Sequence, residues 1–291
     1  MIDFDFHVHS KYSPCARQTV EEVFLRASQA NLTTIAITDH DTIAAYKEVH
    51  EMREKYGIHC IPGIEVSTMI HSTLSFLDEG IGIHVLGLNI DLTQDILDRY
   101  YIETKIRAKT RRKKLFEYLE TSFGIDLGEI PDSEKALRIR LCEKNIVASE
   151  DEAKKYLKSK EIIALFPKYH MSIPEAIDMI HELHGLAILA HPFRGENHLK
   201  LNQKQVDELI DFACTNHIDG LEVFHSDNFE AEGIAFLLEK VKEKHLLVSL
   251  GSDRHFFEDK RPGKYFIMED RLLSLDFDFE NIKRLILKEE K

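Results

Sequence analysis

Two histidines, His7 and His9, stand one residue apart in DFDFHVHS, directly after the alternating apolar positions Ile2, Phe4 and Phe6. Successive side chains of a strand point to opposite faces, so Asp3, Asp5, His7 and His9 share the side away from those apolar residues. A His-x-His pair closing a strand can aim two imidazoles at one point. That is a metal-binding geometry, although an ordinary surface pair would look the same. Further residues able to bind a metal recur downstream: Asp39 and His40 in ITDHD, Glu65 in PGIEVS, His84 in IHVLGL and His191 in AHPFR. Glu222 and His225 follow in GLEVFH, then Asp253 and His255 in GSDRH. Gathered on shared cations, such imidazoles and carboxylates suit the hydrolysis of an anionic ester.

Positioning them requires strands. Seven short apolar runs, at 3–9, 33–41, 59–67, 82–89, 186–194, 219–227 and 246–255, each end in or beside these residues. IAIT, LAILA and LLVSL are nearly continuous in apolar side chains, as in parallel strands covered on both faces. Helical patterns separate many of the runs. TVEEVFLRASQAN (19–31) has Thr19 as N-cap, 41–57 stops at Gly57, and 172–185 opens with a Ser172/Glu175 capping box. Segments 202–216 and 229–245 are amphipathic. The alternation predicts a parallel sheet. In a β/α barrel the C-terminal strand ends meet at one face, where active sites are built. Accidental histidines would scatter along the strands, so the distribution favours one shared site.

The segment 93–169 breaks this rhythm with long helical patterns and no strand with a polar tip. The expected organisation is a barrel from 1–92 and 170–291, with 93–169 as a helical insertion between the fourth and fifth strands. Because it follows a strand end, the insertion is expected to emerge at the active-site face as a cap. It carries a basic run, KIRAKTRRKK, from Lys105 to Lys114. This run is either a solvated helix face or a patch that guides phosphate-rich substrates. Arg107 and Arg111 lie four apart and could clamp a second phosphate.

The 291 residues carry a formal charge of -13, which argues against nucleic-acid binding over the whole surface. With no basic-then-apolar leader and no long apolar run, the expectation is a cytoplasmic protein without membrane association. Four scattered cysteines, Cys15, Cys60, Cys142 and Cys214, form no CxxC pair and are expected to be reduced thiols.

HVHS, ITDHD, PGIEVS, IHVLGL, AHPFR, GLEVF and GSDRH occur in the order found in the PHP superfamily, named for polymerase and histidinol phosphatase domains, and the chain resembles that superfamily over nearly its whole length. Within it, the helical insertion resembles the branch of nucleotide phosphatases and 5′-3′ exoribonucleases. The resemblance implies a distorted seven-stranded TIM-like α/β barrel, (β/α)7, holding two or three divalent metals. His7, His9 and Asp253 would hold the first, Glu65 would bridge to a second with His84 and His191, and His40 and His255 would hold a third. Nitrogen-rich mixed ligation suits Zn²⁺, Mn²⁺ or Fe²⁺. One departure stands out. The family's loop carries an aspartate five residues after its second histidine, where this chain has Pro14, with Cys15 beside it. Either Cys15 replaces the carboxylate, or a water does, or the third metal is weakly held; Cys15 also reads as a buried small residue.

Such a cluster implies attack by a metal-bridging hydroxide on phosphomonoesters of nucleotide-like substrates: AMP, a nucleoside 3′,5′-bisphosphate, or the 5′ end of a short RNA or DNA oligonucleotide. Histidinol phosphate or another small metabolite, and a non-catalytic regulatory barrel, are the alternatives. Arg194 is the candidate phosphate clamp, or else a rim salt bridge. His225 could protonate the leaving group, contact phosphate, or be a simply hydrogen-bonded histidine. Asp41 either supports His40 from behind or caps the next helix. Glu222 could line the pocket or partner a base, and Asp227 and Asn228 could bind substrate hydroxyls or form a turn.

Overall fold

The apolar runs become strands and the amphipathic segments become helices in the computed structural model, which describes residues 2–131, 133–196, 199–225, 231–255 and 278–287. In chain order they are β1 (Phe4–Val8), α1 (Val20–Gln29), β2 (Thr34–Ile37), α2 (Tyr46–Tyr56), β3 (His59–Met69) and β4 (Gly82–Leu88). Four helices follow: α3 (Gln94–Phe123), α4 (Glu134–Glu143), α5 (Glu150–Leu157) and α6 (Lys160–Leu165). Then come β5 (Met171–Ser172), α7 (Ile173–Glu182), β6 (Leu186–Leu189), β7 (Arg194–Gly195), β8 (Leu199–Lys200) and α8 (Gln203–Thr215). The described chain ends with β9 (Gly220–His225), α9 (Ala231–Lys244), β10 (Leu247–Gly251) and α10 (Phe279–Leu287).

The main sheet runs β1-β2-β3-β4-β6-β9-β10, with β5 paired to the far end of β3. A bridge between Val8 and Arg254, with Asp253 N–H donating to His7 O (2.8 Å), brings its two edges together into a nearly closed barrel. Gly251 is required at this seam, because a Cβ there would lie 2.2 Å from that of His7. Helices cover the outside with their apolar faces: Val20, Val23, Phe24 and Ala27 from α1, and Val206, Leu209, Ile210 and Ala213 from α8. Burying each of the Val, Leu, Ile and Phe side chains among these stabilises by roughly 1.5–3 kcal/mol. The capping boxes form at Thr19/Glu22 and Ser172/Glu175, and Gly57 ends α2 in the left-handed conformation.

The sheet is not wholly parallel. β4 runs antiparallel to both β3 and β6, whereas the other main-sheet pairs are parallel. The link from Ile70 to Ile81 forms no helix, and β3 and β4 pair antiparallel as a hairpin. Two expectations change as a result. His84 lies near the start of its strand, yet opposite Ser67 of β3, because reversing β4 brings its N-terminal end to the rim where the parallel strands finish. The chain then leaves β4 at Leu88, paired with Gly63 and Leu186 near the opposite rim. It therefore does not depart from the site face, and it returns at β5 beside Thr68 and Met69.

Contacts divide the chain into two compact units, residues 1–97 with 171–291, and 98–170. The second has its own core of Leu115, Phe116, Leu119, Leu127, Leu137, Leu141, Ala153, Leu157 and Ile162. Serines 133, 149 and 159 cap its three shorter helices, each accepting from a backbone N–H of the first turn. Among the described residues, no helix is long and apolar enough to cross a membrane.

Candidate metal centre

Seven segments deliver their polar residues to one rim of the barrel unit. His7 and His9 close β1, His40 follows β2, Glu65 sits within β3 and His84 opens β4. His191 follows β6, His225 ends β9, and Asp253 and His255 follow β10. Glu65 is 1% exposed and is the hub. Its Oε2 lies 3.0 Å from His9 Nε2 and 3.3 Å from both His7 Nε2 and His40 Nδ1. Its Oε1 lies 2.8 Å from His84 Nδ1 and 3.2 Å from His191 Nε2. Asp253 Oδ1 is 3.0 Å from His9 Nε2 and 3.4 Å from His7 Nε2.

These contacts bring together donor atoms that suit a shared cation. His7 Nδ1 faces Glu222 Oε1 at 2.9 Å, which assigns its proton to Nδ1 and leaves the Nε2 lone pair pointing at Glu65 and Asp253. His191 Nδ1 faces the Arg194 carbonyl at 3.1 Å, so its Nε2 lone pair likewise points at Glu65. His7 Nε2 and His9 Nε2 approach to 3.2 Å. Among the described residues, Glu65 Oε2, His40 Nδ1 and His84 Nδ1 are buried and lie in directions that make no hydrogen bond. Lone pairs converging on lone pairs are repulsive unless a proton or a metal lies between them.

The protonation states reflect this demand. Burial would depress His9, but Asp253 and Glu65 outweigh it and hold the imidazole up at about 9. Burial likewise opposes the charge on His7, and Glu222 first, then Glu65 and Asp253, raise it well above the ordinary value. His40 is pushed down by burial to about 3, and His191 by burial to about 4. Against burial, the surrounding imidazoles keep Glu65 and Asp253 ionised. Against burial, Glu65 raises His84 as well, so the buried carboxylates recruit protons onto His7, His9 and His84, at donors that divalent cations would suit. The residues present fit such ions.

Supporting side chains fix the donors. Glu222, fully buried, also accepts from His191 N–H at 2.9 Å, so one carboxylate orients two histidines. Its position three residues before His225 gave only an ambiguous signal in the sequence. Asp5 accepts from His7 N–H, Ser252 N–H and Ser252 Oγ, tying β1 to the loop that carries Asp253. Burial raises its carboxyl to about 6. Asp39 accepts from Ser10 N–H and Oγ, both at 2.6 Å. Ser13 Oγ meets His9 Nδ1 at 3.0 Å and accepts from His40 N–H at 2.8 Å. These roles depend on distant segments meeting, which no local pattern signals. His191 (φ 28°) and Asp253 (φ 50°) also occupy left-handed backbone, a strain of about 1–3 kcal/mol that tight junctions at functional sites can store.

The other singled-out residues fall as follows. Arg194 donates to Asp253 Oδ2 and is 20% exposed, at the edge of the cluster. His225 Nε2 lies 3.7 Å from the same carboxylate oxygen. Asp41 accepts from Ser67 N–H at 2.9 Å, tying the turn after β2 to β3. It does not cap α2, which starts only at Tyr46 behind Ala45. Cys15 is exposed as a residue, not buried, and its thiol joins a donor group with His9, His40 and His255. Desolvation, then the charge on Glu65, raises that thiol to about 12. Asp227 and Asn228 lie outside the described residues. In the other unit, Arg111 is 11% exposed, donates to the Phe166 carbonyl at 2.7 Å and approaches Glu134 at 3.6 Å. It braces that unit's helices instead of lying open. Arg107 bonds Glu103 at 2.6 Å and stacks over the Tyr169 ring, 4.2 Å from its centroid.

A barrel rim gathering histidines and carboxylates in this way is that of a metal-dependent hydrolase. Residues 5–257 match the PHP domain family, and the chain belongs to that family. It is 31% identical over 269 residues to a 5′-3′ exoribonuclease of Salmonella typhimurium, covering 87% of this chain and 85% of the relative. It is 26% identical to a 3′,5′-nucleoside bisphosphate phosphatase of Chromobacterium violaceum, covering 88% of both chains. A crystal structure from Bifidobacterium adolescentis, assigned as a metal-dependent phosphoesterase, superposes with a TM-score of 0.62 at 26% identity, covering 87% of each chain. This chain is accordingly a metal-dependent phosphoesterase with a PHP-type TIM-like barrel.

Proposed function

We propose that this phosphoesterase acts on nucleotide-like phosphate esters, either a nucleoside 3′,5′-bisphosphate or the 5′ end of a short oligonucleotide. The observation that carries this is the donor cluster around Glu65 and Asp253, taken with relatives that act on nucleic-acid-derived esters. His7, His9 and Asp253 would hold one cation, Glu65 would reach a second with His84 and His191, and His40 and His255 would hold a third. Zn²⁺, Mn²⁺ or Fe²⁺ suits such donors. Bound there, the ions supply Lewis-acid neutralisation of phosphoryl charge and acidify water to a nucleophile at neutral pH.

The chain's own residues do the rest. Glu222 keeps the His7 proton on Nδ1 and so keeps Nε2 available as a ligand. Arg194, able to leave Asp253 for an incoming anion, binds two phosphoryl oxygens through its planar fork. His225, whose Nε2 lies 3.7 Å from Asp253 Oδ2, would serve the departing oxygen as a proton donor. Positioning and charge neutralisation are what phosphoryl transfer needs.

The test is a phosphate-release screen of nucleoside bisphosphates, AMP, short 5′-phosphorylated RNA and histidinol phosphate, with Mn²⁺ and Zn²⁺ compared. Nucleotide-like esters are expected to show the higher kcat/KM, with activity abolished by chelation. A preference for histidinol phosphate would overturn the substrate class.

A further inference from the structure

The loop after β1 is held against the cluster at both ends. Lys11 N–H donates to Gln18 O at 2.6 Å, and Arg17 N–H donates to His255 O at 3.2 Å. The Gln18 amide donates to His9 O at 2.6 Å and to Arg254 O at 3.1 Å. Ser13, within the loop, touches both His9 and His40. This pinning carries Cys15 inward, so that its Sγ and one ring nitrogen each of His9, His40 and His255 all lie within 4.8 Å of one another.

Two of those histidines are prepared as donors. His255 Nδ1 lies 2.7 Å from the Asp253 carbonyl, which assigns the proton there and leaves Nε2 with its lone pair. His40 Nδ1 is buried without a hydrogen bond among the described residues, 3.3 Å from Glu65 Oε2, so that His40 stands between the Cys15 group and the Glu65 group. The loop offers no carboxylate: Pro14 stands beside Cys15, and sulfur is the donor that reaches the group.

We propose that Cys15 supplies a thiolate that, with His40 and His255, holds a further cation beside the Glu65–Asp253 centre, His9 belonging to both donor groups. The inference rests on reading the rim as a cation centre. A sulfur donor among imidazoles selects a soft or borderline ion, so this position takes Zn²⁺ or Fe²⁺ in preference to Mn²⁺ or Mg²⁺. The phosphoesterase is then mixed in character, with imidazole–carboxylate positions that accept manganese and one sulfur-containing position that does not.

The full-length chain, stripped of metal and titrated with Co²⁺, tests this by its absorption. The wild type is expected to develop visible ligand-field bands together with a near-ultraviolet sulfur-to-cobalt charge-transfer band. Cys15→Ser should lose the near-ultraviolet band and weaken the last ion by at least about tenfold, the scale seen when even a supporting partner is lost. Cys15→Asp should recover that ion without the band. Iodoacetamide labelling, read at the Cys15 peptide, should be slowed by Zn²⁺. Visible cobalt bands without the charge-transfer band, a band that persists in Cys15→Ser, or zinc-independent labelling would each overturn the thiolate and leave the cation centre standing. No cobalt binding at all would overturn the centre itself.

Discussion

The barrel rim and the helical unit of residues 98–170 use similar residue types to opposite ends. At the rim, charged and titratable side chains from seven distant segments are buried against one another, with Glu65, Glu222 and His7 almost wholly removed from water. In the helical unit, a local apolar core does the organising, and charges pair along or between neighbouring helices: Lys105 with Asp98, Arg107 with Glu103, Arg111 beside Glu134. Arg194 meets a carboxylate at the edge of the cluster, whereas Arg111 meets a carbonyl inside a helical core. A charged residue is therefore informative about chemistry when burial imposes an electrostatic debt that its neighbours alone do not settle. Local ion pairs on exposed helices contribute little, typically under about 1 kcal/mol.

Substitutions should separate the two regions, and the largest effect belongs to the rim. Asp253→Ala or His9→Ala should lower phosphate release by at least about a hundred- to a thousandfold, the scale of lost transition-state charge stabilisation, with circular dichroism unchanged. Full activity at controlled metal would remove either residue from the centre. Glu222→Gln keeps the shape but weakens the acceptor for His7 and His191. Metal affinity by equilibrium dialysis should fall roughly 10–100-fold; an unchanged affinity would reduce Glu222 to packing.

A smaller change is expected at the edge. Arg194→Ala should raise KM and lower kcat/KM by about tenfold or more, as for loss of a hydrogen bond to a charged group, while bound metal stays constant. An unaltered profile would leave Arg194 a salt-bridge partner only. The smallest effect belongs to the basic run of the helical unit. Replacing Lys105, Lys109 and Lys113 by Gln should weaken oligonucleotide substrates by a few-fold and small esters hardly at all, with the difference shrinking at high salt. Equal effects on both would make the run a solvated face.

Much of this was legible in the sequence because both the strands and the chemistry leave short-range marks. Apolar runs of the right length, each beside a histidine or carboxylate, announced a barrel and one site, and the PHP motifs gave their order. What failed was directional. Nothing in GIHVLGLN says that the strand runs backwards. Inferring an exit at the site face from strand order therefore misplaced the departure point. Supporting residues were also obscure. Asp5, Ser13 and Gln18 are unremarkable letters whose hydrogen bonds span |i−j| up to 247 residues, and such pairings become visible only once the chain is folded. Arg111 misled in the opposite sense, since four-residue spacing from Arg107 cannot report that one guanidinium is turned inward.

The decisive observation is anomalous X-ray diffraction at a metal absorption edge, from crystals grown with Mn²⁺ or Zn²⁺. Anomalous peaks are expected among the converging atoms of His7, His9, Glu65 and Asp253, with a neighbouring peak reached by His84 and His191. Metal-replete crystals showing no peak there, with the same imidazoles and carboxylates bonded only to one another, would contradict the cation centre.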